Sequence, residues 1–141
     1  MSDSASDKAK PVGLTKDSGW QVGVRKTMSV DLEHGWQVLT SEPGLKIWLG
    51  EHVDLAEGDE FALPDGTRCQ IRVFKPNSHL RMGWQPPSWK KASTIQLRVI
   101  GRGGKTVVAF HQENLPDQQS RVERRTFFKE ALQSLAEEMD E

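Results

Sequence analysis

The last part of the chain carries a long apolar stripe at helical spacing, and this stripe constrains the fold more than any other feature. Its members recur three or four positions apart: Phe128, Ala131, Leu132, Leu135 and Met139. That period predicts one long helix from Pro116 to Met139 with a single buried face. A stripe of this length must lie along an equally long apolar surface, and the rest of the chain has to supply it.

The stretch between Gly58 and Asn114 predicts that surface. Its segments alternate apolar and polar residues, which is the period of a half-buried strand: Phe61–Leu63, Thr67–Phe74, Leu80–Trp84, Ile95–Val99 and Thr106–Glu113. Short turns rich in Gly, Pro and Asn join the segments, so we expect an antiparallel meander whose apolar face receives the helix.

Two short helices are predicted ahead of the meander. Trp20, Val22 and Val24 alternate with polar neighbours as a first strand, and the period then lengthens. The residues at helical spacing are Leu32, Trp36 and Leu39, followed by Leu45, Trp48 and Leu49. Between the two sets, Glu42-Pro43-Gly44 ends the first helix and begins the second, because Pro suits the first turn of a helix.

The chain is expected to form one domain. Its 141 residues match the size of a single hydrophobic core. Residues 1–18 are rich in Ser, Asp, Lys and Gly and predict a mobile tail, which leaves 19–141 as the folded unit. The predicted class is α+β, with a curved antiparallel sheet wrapped around the C-terminal helix.

Composition narrows the environment and the partners. The formal net charge is −1, which argues against a nucleic-acid partner. Cys69 is the only cysteine, so no internal disulfide can form. No segment reaches the ~18 apolar residues that span a bilayer, and the polar N-terminus lacks an apolar signal core. We therefore expect a cytoplasmic protein without a membrane span.

The order of elements and several sequence segments resemble the START-like, or SRPBCC, superfamily. Within it, the chain resembles the homologues of the activator of the heat-shock-protein-90 ATPase. Val24–Leu49 is similar to that family's opening strand, Trp-containing helix and Glu-Pro-x-x-Leu-x-x-Trp turn. Gly58–Trp84 is similar to its meander, and Val107–His111 to its last strand. One departure is Thr126-Phe127, where the family often has Gly-Trp at the start of the last helix.

The resemblance implies a helix-grip fold with a cavity between sheet and helix, which the superfamily uses for lipids, polyketides and other apolar molecules. We expect the cavity to be lined by apolar side chains and one polar group, in this chain Trp48, Ile71, Leu80, Met82, Trp84, Leu97, His111 and Phe128. His111 is assigned to the cavity because it shares strand parity with Val107 and Ala109, and because the family comparison places it there.

Residues capable of catalysis or metal binding are sparse. None of the four His, at positions 34, 52, 79 and 111, has metal-ligand spacing to another His or Cys. Gly103-Gly104-Lys105-Thr106 is followed by a strand, so it indicates a hairpin turn and not a phosphate loop. Cys69 lies on the apolar side of its strand and is read as a buried, inert thiol. We predict no catalytic residue, no metal and no cofactor.

Three functions remain open from the sequence. The first is non-enzymatic binding of a small apolar, lipid- or polyketide-like molecule, by a monomer or weak dimer. The second is contact with a heat-shock-protein-90 chaperone. The third is a cyclase- or hydrolase-type enzyme, for which His111 with Glu113 or Arg72 is the available acid–base pair. The basic stretch formed by Arg121, Arg124, Arg125 and Lys129 is interpreted as a solvated helix face.

Overall fold

The computed structural model describes residues 14–15, 19–51 and 54–140. The strands of this part are β1 Leu14–Thr15, β2 Gly19–Met28, β3 Glu60–Ala62, β4 Arg68–Lys75, β5 His79–Gln85, β6 Ser93–Arg102 and β7 Lys105–Leu115. The helices are α1 Leu32–Leu39, α2 Glu42–Trp48 and α3 Gln118–Met139.

All the described strands belong to one antiparallel sheet with the order β1-β2-β7-β6-β5-β4-β3. The meander from β3 to β7 runs through neighbouring positions, as the turn signals predicted, and β2 adds beside β7. Two residues of the predicted tail, Leu14 and Thr15, form β1 and pair with Trp20 and Gly19. The rest of the predicted tail, 1–13 and 16–18, lies outside the described residues.

The two short helices form a tight corner after β2. Asp31 caps α1 by accepting a hydrogen bond from the His34 amide at 2.9 Å. Ser41 caps α2 in the same way, through the Gly44 amide at 3.2 Å. The corner requires a glycine at position 44, because a Cβ there would lie 1.8 Å from the carbonyl oxygen of Val38.

Helix α3 lies on the inner face of the sheet and gives the fold its helix-grip form, as predicted. Asp117 caps it by accepting from the Ser120 amide at 2.7 Å. Its buried residues repeat the predicted stripe and extend it by about two turns at the N-terminal end to Ser120. The helix contacts β2, β7 and both short helices.

Aromatic rings fill the centre of the space between α3 and the sheet. Phe110 of β7 and Phe128 of α3 stack with centroids 4.7 Å apart and planes 15° apart. Trp48 of α2 meets Phe110 at 5.5 Å. Its indole N–H donates to the Leu39 carbonyl oxygen at 2.8 Å. These rings join the sheet, α2 and α3 in one core.

Candidate functional site

Six of the eight predicted ligand-binding residues lie in this packed core. They are Trp48, Ile71, Leu80, Met82, Leu97 and Phe128, and none is more than 1% exposed. Four surface grooves that described residues line, of about 860, 430, 260 and 210 Å³, include none of these side chains. The six side chains are therefore buried members of the core, packed among the other core residues.

His111 lies on the opposite face of the sheet, and its predicted position in the cavity is wrong. Along β7 the side chains that meet α3 and the core are those of Val108, Phe110 and Gln112. Since neighbouring residues of a strand point to opposite faces, His111 points away from α3. Its ring accordingly lies 3.0 Å from Gln21 Oε1 and 3.8 Å from Glu113. The acid–base pair considered for an enzyme is thus on the outer face.

Trp84 is the predicted residue around which a site does form. The guanidinium of Arg124 lies over its ring at 4.1 Å, over the Phe127 ring at 4.4 Å and over the Phe128 ring at 4.7 Å. We call Arg124, Trp84, Phe127 and Phe128 the arginine cage. It brings two predicted ligand-binding residues, Trp84 and Phe128, to a common cation.

A chain of hydrogen bonds ties the arginine cage to the sheet. Arg124 Nε donates to Gln112 Oε1 at 2.8 Å. Gln112 Nε2 donates to Ser93 Oγ at 2.8 Å, and Ser93 Oγ donates to the Trp84 carbonyl oxygen at 2.6 Å. Gln112 and Ser93 are both fully buried. The guanidinium is therefore held in a fixed orientation.

The Arg124 cation has no carboxylate partner within the described part of the chain. Burial lowers the pKa of Arg124 from 12.5 to about 10, because the apolar surroundings disfavour its charge. Its Nη groups make no hydrogen bond to any described residue. Among the described residues, Thr67 Oγ1 is the one side-chain N or O atom that is both fully buried and without a hydrogen bond. The Nη atoms of Arg124 are thus not fully buried. The Nη groups therefore reach solvent while the rest of the side chain is enclosed.

The sequence contained a signal for Arg124 that the charge pattern obscured. Arg124 stands four residues before Phe128 and four after Ser120, so helical spacing places it on the buried stripe. Its neighbours Arg121, Arg125 and Lys129 led to the interpretation of a solvated face. That interpretation is wrong for Arg124, which is enclosed by rings.

A groove of about 860 Å³ lies between the β5–β6 loop and the segment that joins β7 to α3, and no residue of the arginine cage is part of its lining. The loop from Ser88 to Ala92 forms one wall, and Asn114 to Asp117 forms the other. Trp89 belongs to this wall and meets the Trp84 ring edge-on at 5.4 Å. Trp89 of the groove thus contacts Trp84 of the arginine cage. The groove volume is within the range of small-molecule sites.

The remaining reactive groups have structural explanations. Burial, with a smaller contribution from Asp65, raises the pKa of the Cys69 thiol to about 12, so the thiolate is suppressed. Within the described ranges no three His, Cys, Asp or Glu side chains could hold a metal ion. His52 lies outside those ranges. No helix in the described part of the chain is long and apolar enough to cross a membrane.

A comparison with protein families agrees with this fold. Residues 29–140 match the family described as activator of Hsp90 ATPase homolog 1-like protein. The chain belongs to this family. The match begins after β2 and extends to the end of α3, so it covers the corner helices, the meander and the arginine cage. Among curated proteins, no relative matches the chain.

Solved structures with the same fold come from several bacteria. CalU16 from Micromonospora echinospora is 22% identical with a TM-score of 0.70, and the match covers 84% of this chain and 74% of CalU16. Protein MLL2253 from Mesorhizobium loti is 20% identical with a TM-score of 0.72, covering 85% and 96%. The Aha1 dimer from Colwellia psychrerythraea is 18% identical with a TM-score of 0.65, covering 84% and 95%. At these identities the likeness shows the fold alone.

Proposed function

We propose that this protein binds, without chemical conversion, a small and largely apolar molecule that carries one anionic group. The anion meets the Nη groups of Arg124 beside the Trp84 ring, and the apolar body extends past Trp89 into the groove that Trp89 lines. The observation that carries the proposal is the enclosed guanidinium without a carboxylate partner. The predicted lining is thereby reduced to Trp84 and Phe128, while the other core residues support the site by packing.

The energetics of the arginine cage favour an anionic ligand. A charge taken out of water costs free energy unless it is paired, and ring faces and one amide oxygen offset only part of that cost. A carboxylate on the two Nη groups supplies the missing counter-charge with bidentate geometry. Because Arg124 Nε is already bound to Gln112, the fork is oriented before the ligand arrives.

The proposal is tested with matched pairs of acids and amides. The probes are 2-naphthoate and decanoate, each compared with its neutral amide, and binding is measured by calorimetry and by tryptophan fluorescence. We expect at least one acid to bind saturably and at least tenfold tighter than its amide, which corresponds to about 1.4 kcal/mol. The acid should also raise the melting temperature by mass action.

Two variants and a matched control assign the binding to Arg124. Arg124→Met keeps a long apolar chain without the charge and should abolish the preference for acid over amide. Arg124→Lys keeps the charge without the planar fork and should retain part of it. Arg125→Met removes the neighbouring exposed cation and should change nothing. Equal binding of acid and amide, or no saturable binding of any probe, would show the proposal to be wrong.

The family match favours a second candidate, contact with a heat-shock-protein-90 chaperone. The test is the ATPase rate of the purified chaperone from the same cell, with and without this protein. Under the first proposal the rate stays unchanged. A several-fold stimulation that survives Arg124→Met would reverse the order of the two candidates.

Assembly and location also remain proposals. We propose a monomer or weak dimer, since one solved relative is described as a dimer. Sedimentation over a range of concentrations tests this state. We propose a cytoplasmic location, which fractionation of the source cell tests.

A further inference from the structure

Strand β2 has one edge that is largely unpaired among the described residues, and this edge runs beside α3. Antiparallel β7 occupies one edge of β2 from Trp20 to Met28. On the other edge of β2, β1 is the one described strand that pairs with it, and the pairing involves only Gly19 and Trp20 of β2. The backbone N–H and C=O groups on that edge beyond Trp20 therefore have no ladder within the described residues, which makes the edge a template for another strand.

A groove follows this open edge along the side of α3. Its first part, of about 430 Å³, lies between Gly23–Lys26 of β2 and residues from Arg125 to Gln133 of α3. Its second part, of about 260 Å³, shares Lys26 and Gln133 with the first and continues to Ser29 and Asp140. The two parts form one channel, which we call the β2 groove.

The length of the β2 groove suits an extended chain. Gly23 to Ser29 spans about 20 Å as a strand. Arg125 to Asp140 spans about 22 Å as a helix. The open edge and the flank of α3 thus run side by side over six or seven residues, and the backbone can offer hydrogen bonds along the whole channel.

The positive charge of the β2 groove determines which kind of segment it can bind. The first part of the β2 groove is lined by four cations and no carboxylate: Arg25, Lys26, Arg125 and Lys129. All four side chains are exposed, and none has an ion-pair or hydrogen-bond partner among the described residues. Leu132 adds an apolar side chain to this lining. An electropositive channel of this kind attracts an acidic segment.

Two other occupants fit less well. The chain's own segment 1–13 carries two Asp and two Lys, so it brings no net negative charge to the β2 groove. A second copy pairing through β2 would bring Arg25 and Lys26 against their counterparts. Nucleic acid would find cations, but the lining offers no aromatic ring for base stacking.

We propose that the β2 groove binds an extended, acidic segment of a partner protein by adding it as a strand to the open edge of β2. Main-chain hydrogen bonds along β2 give the segment its extended form. Its Asp or Glu side chains on the α3 side pair with Lys26, Arg125 and Lys129, because Arg25 alternates to the other face of the sheet. This site is separate from the arginine cage, so the two proposals can fail independently.

The test uses a fluorescein-labelled peptide, Asp-Val-Glu-Val-Asp-Val-Glu-Val, and measures its anisotropy with the full chain at low salt. A second peptide of equal charge carries Pro in place of two central Val residues, which removes backbone donors. We expect saturable binding of the first peptide and at least tenfold weaker binding of the second. A labelled single-stranded DNA octamer should bind at least tenfold more weakly than the first peptide.

Charge reversal on the protein locates the site. Lys26→Glu with Lys129→Glu should weaken peptide binding at least tenfold. Arg68→Glu with Lys75→Glu, an equal charge change on exposed positions of β4, should weaken it less than twofold. Circular dichroism checks that both double variants are folded. In nuclear magnetic resonance spectra, bound peptide should shift the backbone amides of residues 23–28.

Several results would overturn the proposal. Equal binding of the Pro-containing peptide would mean that charge alone acts and that no strand is added. Equal binding of the DNA octamer would mean a general polyanion surface. Absence of peptide binding, or equal loss in the two charge-reversed variants, would remove the β2 groove as an interaction site.

Discussion

The packed centre of the molecule can be opened by one substitution, Phe128→Ala. Phe128 is 0% exposed and stacks on Phe110 at 4.7 Å, with Phe127 edge-on at 5.5 Å. Removing a fully buried Phe side chain costs roughly 3–5 kcal/mol, because apolar contacts are lost and a cavity remains. For a domain of this size we expect a fall in melting temperature of about 10–15 °C.

Urea unfolding followed by tryptophan fluorescence measures the loss of stability. Val122→Ala is the matched control, since Val122 lies on the same helix but is 52% exposed, and it should cost less than about 0.5 kcal/mol. The new cavity in Phe128→Ala should bind benzene, as dry apolar cavities do, whereas the unchanged protein should not. A cost below about 1 kcal/mol, together with benzene binding by the unchanged protein, would refute the packed centre.

Three further predictions concern the corner, the thiol and the last helix. Gly44→Ala should strongly destabilise the protein, because its Cβ would overlap the Val38 carbonyl oxygen. Gly35→Ala is the control and should be tolerated, since a Cβ there makes ordinary contacts. The midpoints of urea unfolding compare the two variants, and equal effects would contradict this explanation of the corner. Since burial raises the pKa of the Cys69 thiol to about 12, a thiol reagent at pH 8 should react only through unfolding, and a fast reaction in native buffer would contradict this. A chain ending before Phe127 should lose cooperative unfolding, and a sharp melting transition would show that α3 is dispensable.

The sequence predicted the frame of the fold because its periods were unambiguous where one face of an element is buried. In β4, β5 and β6, apolar residues such as Ile71, Leu80 and Leu97 alternate with polar ones, and each points inward as expected. The Pro and Gly residues between the short helices likewise marked a corner. These are local signals, and local chemistry was sufficient to interpret them.

The prediction of which β7 side chains face α3 was wrong because this strand lies in the interior of the sheet. Val107 and Val108 are both buried, so an apolar run replaces the alternation and either parity looks possible. The wrong choice moved His111 to the inner face. The size of any space between α3 and the sheet is a different problem, because packing between distant elements decides whether aromatic rings leave a gap or fill it. Arg124 was missed because its charge outweighed its helical position.

The most direct test of the proposed function follows side-chain N–H signals while 2-naphthoate and decanoate are added. Trp84 and Arg124 belong to the arginine cage, whereas the Trp48 indole is fixed to Leu39 in the packed centre. A binding acid should shift the indole signal of Trp84 and the Nε signal of Arg124 and leave the Trp48 indole signal in place. Shifts at Trp48 with none at Arg124 would place the ligand in the centre of the fold and contradict the account.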